Sequence, residues 1–219
     1  MAWYPHMTSA DPSTCVFLTT SKDTPVHCWD AFTGEERGSY CAYTDAEELD
    51  AALSLCFDTA GSQVYAGFNN KIRVYDLSRP GRTHSTLHTY KRANKESLGQ
   101  RGIISCMAMS PDGSGLLAAG SYSRNVALLD TSGSGKLLYS LQGQRGGLTQ
   151  VVWSPDGRYL YCGGRRDDEI RCWDIRSTGE VVFTLPRVVR TNQRLLFDVD
   201  ASGRFLATPS QEGTIDVFD

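Results

Sequence analysis

Short apolar segments closed by an aspartate recur along the chain. They are Val26-His27-Cys28-Trp29-Asp30, Ile72-Arg73-Val74-Tyr75-Asp76, Val126-Ala127-Leu128-Leu129-Asp130, Ile170-Arg171-Cys172-Trp173-Asp174 and Ile215-Asp216-Val217-Phe218-Asp219. Their aspartates stand 46, 54, 44 and 45 residues apart. A second series keeps the period: Ser110-Pro111-Asp112-Gly113 and Ser154-Pro155-Asp156-Gly157, with weaker members at Asp58-Thr59-Ala60-Gly61 and Asp200-Ala201-Ser202-Gly203. In the two clear members Pro fixes φ and Gly accepts a positive φ, so each sets a tight turn between two strands. The pattern predicts one repeated unit. An inner strand (53–57, 105–109, 150–153 or 195–199) turns into a second (63–68, 116–120), then the aspartate-closed third, then an outer strand (136–141, 180–185).

Four antiparallel strands at a period of about 40–45 residues are the WD40 unit, one propeller blade. The fold class read from the sequence is therefore all-β, a single WD40 β-propeller domain over 1–219. Its blades fall at about 1–45, 46–92, 93–143, 144–188 and 189–219. The first blade opens at Trp3-Tyr4 in its inner strand, and the last stops at Asp219 without an outer strand. Five blades of this kind would leave exposed sheet edges. The expectation is an open arc cut from a seven-bladed ring, with one blade missing at each end.

Several strings lie outside the general repeat. Cys28-Trp29-Asp30-Ala31-Phe32-Thr33-Gly34-Glu35, Arg79-Pro80-Gly81-Arg82, Gly102-Ile103-Ile104-Ser105-Cys106, Gly120-Ser121-Tyr122-Ser123-Arg124, Cys172-Trp173-Asp174-Ile175-Arg176 and Thr191-Asn192-Gln193-Arg194 resemble the telomerase Cajal body protein family. The likeness runs in order from Trp3 to Asp219. It implies a seven-bladed propeller that binds box H/ACA small Cajal-body RNAs, telomerase RNA among them in animals. It also implies the proteins of those RNPs as partners, the telomerase RNP included, and a nuclear, Cajal-body location. The chain departs from the usual WD40 pattern in two ways. No blade carries the Gly-His pair before its inner strand, Gln144 standing where the fourth blade should have His. Tryptophan occupies the third strand only at Trp29 and Trp173. The buried His–Ser/Thr–Asp–Trp network is therefore expected to be incomplete.

Composition narrows the class. The 219 residues carry 22 Lys+Arg against 25 Asp+Glu, a net charge of −3, with 40% hydrophobic and 21% charged residues. That excludes a disordered or collagenous chain, and the apolar runs are far shorter than the roughly 18–20 residues of a membrane-spanning helix. No secretory signal is read at the start. Seven cysteines, an odd number without a C-x-x-C pair, suggest small buried hydrophobes in a reducing compartment rather than disulfides or zinc. No enzyme chemistry is found. His6, His27, His84 and His88 form no metal-ligand motif, and His84 and His88 are expected to face solvent. Gly133-Ser134-Gly135-Lys136 lacks the P-loop context and reads as a hairpin turn, and Asp167-Asp168 reads as turn capping. No cofactor, membrane or small-molecule substrate is implied.

Charge becomes informative once it is sorted by loop. Residues 1–78 carry 4 Lys+Arg against 11 acids, and residues 79–219 carry 18 against 14. Loops from outer to next inner strand, and from second to third strand, share one rim. On it fall Lys91, Arg92, Lys95 and Arg101 (with Glu96), Arg145, Arg187, Arg190 and Arg194, and then Arg124 beside Tyr122, and Arg165 with Arg166. The candidate RNA-binding set is Lys91, Arg92, Lys95, Arg101, Tyr122, Arg124, Arg145, Arg165, Arg166, Arg190 and Arg194. Guanidinium groups fork onto phosphates, and an open tyrosine ring can stack on a base. Asp45, Glu47, Glu48 and Asp50 make one sector of the same rim acidic and would repel RNA. The competing expectation is a protein-interaction scaffold that touches no RNA.

Overall fold

A computed structural model describes residues 1–93, 96–133, 135–177 and 180–219, with backbone alone at 91–93 and 96–98. The repeated unit becomes five consecutive antiparallel sheets. The first holds β1 (Ala2–Trp3), β2 (Val16–Thr19), β3 (Val26–Asp30) and β4 (Glu36–Tyr40); the second holds β5 (Ser54–Phe57), β6 (Gln63–Gly67), β7 (Lys71–Asp76) and β8 (Ser85–His88). After a hairpin of β9 (Tyr90–Ala93) and β10 (Glu96–Gly99) comes the third, β11 (Ile104–Met109), β12 (Leu116–Ser121), β13 (Asn125–Asp130) and β14 (Lys136–Gln142). The fourth is β15 (Leu148–Trp153), β16 (Tyr159–Gly164), β17 (Glu169–Asp174) and β18 (Val181–Pro186). The fifth has three strands, β19 (Asp198–Val199), β20 (Leu206–Pro209) and β21 (Ile215–Phe218). Among the described residues the first and last sheets do not pair with each other, so the sheets form an open arc.

Alternation along each strand decides how the sheets stack, since successive side chains point to opposite faces. On β13, Val126 and Leu128 join a cluster with Leu148, Val151, Leu160 and Trp173 of the fourth sheet. Ala127 and Leu129, the intervening residues, join Tyr65, Ile72 and Val74 of the second. The same division recurs on β17, where Ile170 and Cys172 face Phe197 and Leu206 of the fifth sheet while Trp173 faces back. Four apolar layers result, one between each pair of neighbours. Cys106, Cys162 and Cys172 lie within them, unpaired, and burial pushes the Cys106 and Cys172 thiols up to about 12.

Polar ties cross these layers. Thr20 Oγ1 donates to Ala52 O (2.7 Å), Ser54 Oγ to Ile104 O (2.7 Å) and Ser105 Oγ to Leu148 O (2.6 Å). Gln150 grips Phe197 twice, donating from Nε2 to its carbonyl (2.7 Å) and accepting from its amide at Oε1 (2.9 Å). This grip, with Arg187 donating to Leu195 O (3.2 Å), explains why the inner strand expected over 195–199 is extended only at Asp198–Val199. Side chains have taken the hydrogen bonds that a strand partner would make. The WD40 polar network is incomplete. Trp29 Nε1 reaches Thr19 Oγ1 (2.8 Å), but buried Trp173 Nε1, Asp167 Oδ1 and both polar atoms of the Gln144 side chain have no partner among the described residues.

The basic stretch before the third sheet, expected as a loop, is a hairpin. Its neck is locked by Thr89 and Gln100: the Gln100 amide donates to Thr89 O (2.7 Å) and Thr89 Oγ1 to Gln100 O (2.9 Å). Gln100, fully buried, also donates from Nε2 to Ala119 O and Asn125 O. The turn at 133–136 includes Ser134, outside the described residues.

Ser105→Ala should lower stability by about 1–3 kcal/mol, because it strands the buried Leu148 carbonyl. Ser132→Ala, which removes a bond to Asp130 on an exposed turn, should cost under about 0.5 kcal/mol. Denaturant midpoints at constant m-value check the pair.

Candidate nucleic-acid interface

The rim is built from turns of unusual composition. Each turn from second to third strand contains one residue with positive φ: Asp23 (60°), Asn70 (60°), Arg124 (68°), Arg166 (48°) and Gly213 (84°). Asp, Asn and Gly enter this region readily; other L residues do so at a cost of about 1–2 kcal/mol. Only the third and fourth sheets place arginine there. Both arginines are exposed, so packing does not account for the strain.

Between these turns three sheets meet. Arg165, from the β16–β17 turn, lays its guanidinium 4.4 Å from the ring centroid of Tyr122 and donates from Nη2 to the phenol oxygen (2.6 Å). Arg194, from the loop before β19, donates to the same oxygen (3.3 Å) and to Ser105 O (3.4 Å). One face of Tyr122, expected to be open for a base, is therefore occupied by Arg165. The ring holds arginines in place. Arg101 repeats the arrangement, stacked 4.4 Å over Tyr90 and bonded to its hydroxyl.

Pairing separates the two faces of the arc. Turns on the face opposite the rim pair five arginines: Arg37 with Asp30, Arg79 with Asp76, Arg158 with Asp156, Arg176 with Asp174 and Arg204 with Asp219. Arg82 of the β7–β8 loop instead stacks 4.2 Å from the Tyr43 ring centroid. The acids there are held as anions. Hydrogen bonds from the Thr33 and Phe32 amides and from Arg37 take the Asp30 carboxyl to about 2. Hydrogen bonds from the Arg176 side chain and backbone likewise lower Asp174. On the rim, Arg101, Arg124, Arg165, Arg166, Arg190 and Arg194 have no carboxylate within 4.0 Å among the described residues.

The other expected residues divide. Arg145 is exposed but paired with Glu169 (3.3 Å), so its charge is offset. Arg190 is exposed and stands over a separate cavity of about 740 Å³ beside β21, with its amide bonded to Gln211 Oε1. Arg187, grouped with the rim by its position in the chain, is buried and donates to Asp167 O, Gly164 O and Leu195 O. Burial lowers its pKa, and it belongs to the frame. The side chains of Lys91 and Arg92, and Lys95 altogether, lie outside the described residues. Asp167 and Asp168 cap loops, accepting from the Arg145 amide (3.1 Å) and the Val189 amide (3.1 Å). In the acidic sector Asp50 pairs with Lys71 and Arg73, while Asp45, Glu47 and Glu48 stay exposed. Among the described residues no group of three or more His, Cys, Asp and Glu could hold a metal. Sequence reasoning missed Tyr90, adjacent to the basic stretch, and the Gly146-Gly147 pair. The only signal for the latter was its place beside Arg145.

The order of four-stranded antiparallel sheets and their repeat define a WD40 β-propeller protein. The family model of the WD domain, G-beta repeat, matches residues 91–130 and 135–174. A chain in the crystal structure of the mitotic checkpoint complex superposes with a TM-score of 0.73 at 19% identity, covering 99% of this chain and 60% of that one, which shows the fold. The chain belongs to the telomerase Cajal body protein family. It is 44% identical over 217 residues to Telomerase Cajal body protein 1 of Bos taurus and 45% identical over 217 residues to that of Homo sapiens. Both matches cover 99% of this chain and 38–39% of the relative, so it spans well under half of their length.

The strain in the two arginine turns gives a prediction. Replacing both Arg124 and Arg166 by Asn, the residue of the second sheet's turn, should stabilise the fold by about 0.5–1 kcal/mol per site and weaken nucleic-acid binding. Unfolding and RNA-binding titrations on the one double variant check both signs.

Proposed function

We propose that the chain is a non-enzymatic RNA-binding propeller that takes up box H/ACA small Cajal-body RNAs, telomerase RNA in animals, and recruits their RNPs to Cajal bodies in the nucleus. The observation that carries this reading is the asymmetry of the arginines. On the face opposite the rim, five arginines pair with turn aspartates of the repeat or with Asp219. On the rim, Arg145 pairs with Glu169, but Arg101, Arg124, Arg165, Arg166, Arg190 and Arg194 have no carboxylate within 4.0 Å among the described residues. An unneutralised arginine surface binds polyanions and releases their counterions. Membership of the telomerase Cajal body protein family supports this RNA class, and the acidic sector at Asp45, Glu47 and Glu48 disfavours phosphate on that side of the rim.

A second reading, a scaffold for proteins, draws on the outer strands. Leu138 and Tyr139 of β14 and Val181, Val182 and Phe183 of β18 are exposed. Salt separates the two readings. RNA affinity should fall with salt at about −0.7 to −0.9 in log–log slope per phosphate contacted. Reversing Arg124, Arg165 and Arg166 to Glu should remove about three such contacts. Binding of box H/ACA RNA no tighter than of unrelated RNA, or unchanged by the triple reversal, contradicts the reading. RNA-independent capture of proteins through β14 and β18 would support the scaffold.

A further inference from the structure

We infer that Tyr122, Arg165 and Arg194 form a seat for a single phosphate group, preset before the ligand arrives by Tyr122 and by the glycines at 146 and 147. The inference rests on the RNA-binding reading of the rim and adds a defined contact to it.

The seat consists of donors. The Tyr122 oxygen accepts from both guanidinium groups, which uses its two lone pairs. Its own proton has no acceptor among the described residues, so it remains to be given to a ligand. Among the described residues, buried Arg165 Nε has no partner and neither arginine has a carboxylate within 4.0 Å. Two cations fixed on one neutral oxygen repel each other, and an anion between them relieves that repulsion. A carboxylate presents two coplanar oxygens, which one arginine fork satisfies. Here the donors come from the third, fourth and fifth sheets, and a phosphate with oxygens spread in three dimensions suits them better.

The glycines allow the parts to meet. A Cβ on Gly147 would lie 3.1 Å from Tyr122 Cα and O and 3.2 Å from its ring. A Cβ on Gly146 would lie 1.7 Å from Arg165 O. The Gly147 carbonyl also accepts from the Arg165 amide (2.9 Å). The loop before β15 is thus a spacer one backbone thick, with the Tyr122 turn on one side and the Arg165 turn on the other. Tyr122, Gly146 and Gly147 are positioning residues, and the two arginines are the binding groups.

The experiment titrates the 219-residue chain with inorganic phosphate at constant ionic strength, with acetate as control. It follows heat and melting temperature, and measures box H/ACA RNA affinity in parallel. Phosphate should bind and stabilise the chain, and acetate should not. Tyr122→Phe keeps the stack but loses the hydroxyl, so phosphate binding should weaken about 3- to 10-fold. Arg165→Gln should weaken it more than tenfold, and Gly147→Ala should weaken it without changing any charge. Equal phosphate binding by wild type, Tyr122→Phe and Arg165→Gln overturns the seat, as does stabilisation by acetate equal to that by phosphate. Phosphate binding that follows these variants, with no RNA bound, leaves the seat standing and removes the RNA reading. RNA binding that responds to Arg124 and Arg166 but not to Tyr122 or Arg165 removes the seat alone.

Discussion

Every sheet in this arc has two apolar faces to bury and only its neighbours to bury them against. That constraint sets the rest. Strict alternation sends Val126 and Leu128 one way and Ala127 and Leu129 the other, so a slip of one residue would exchange the two layers. The polar ties from Thr20, Ser54, Ser105 and Gln150 then fix the backbone of each successive sheet. With the core assigned to these layers, the loops carry little of the packing. The rim can hold strained turns and unpaired charge that a core could not.

The division of labour between the two faces follows from the repeat itself. In the first four sheets an aspartate ends the third strand because its carboxylate caps the next turn: Asp30 accepts from Phe32 and Thr33, Asp76 from Ser78, Asp130 from Ser132 and Asp174 from Arg176. These acids serve the fold, and Asp30, Asp76 and Asp174 also neutralise nearby arginines on the same face. In the rim turn of the fourth sheet the acids Asp167 and Asp168 accept from the Arg145 and Val189 amides rather than from a guanidinium group. Arginine placed there keeps its charge, and in the third and fourth sheets it does so at the price of a left-handed backbone. Strain retained in exposed turns is characteristic of sites selected for binding rather than for stability.

Much of the architecture was legible in the sequence because its signals are local. The aspartate-closed apolar segments became β3, β7, β13, β17 and β21, and the Pro-Asp-Gly turns joined the strands they flank. What could not be read required knowledge of which loops touch. Tyr122 and Arg165 are 43 residues apart, and Tyr122 and Arg194 are 72 apart; loop type placed them on one rim without showing that they converge. Arg187 shares a loop with Arg190, yet three carbonyl acceptors draw it inside. The β9–β10 hairpin was not legible because the stretch 90–99 is rich in charge and its connection carries no glycine signal. The shortened inner strand of the fifth sheet depended on Gln150, a side chain from another blade.

The central claim, that RNA lies on the rim and avoids the opposite face, is tested most directly by ultraviolet crosslinking of box H/ACA RNA to the chain, followed by peptide mapping. The account predicts crosslinks in the peptides carrying Tyr90, Tyr122 and the 190–194 loop, lost on competition with unlabelled RNA. Crosslinks concentrated in the aspartate-rich turns around Asp30, Asp156 and Asp174, or on the outer strands β14 and β18, would contradict it.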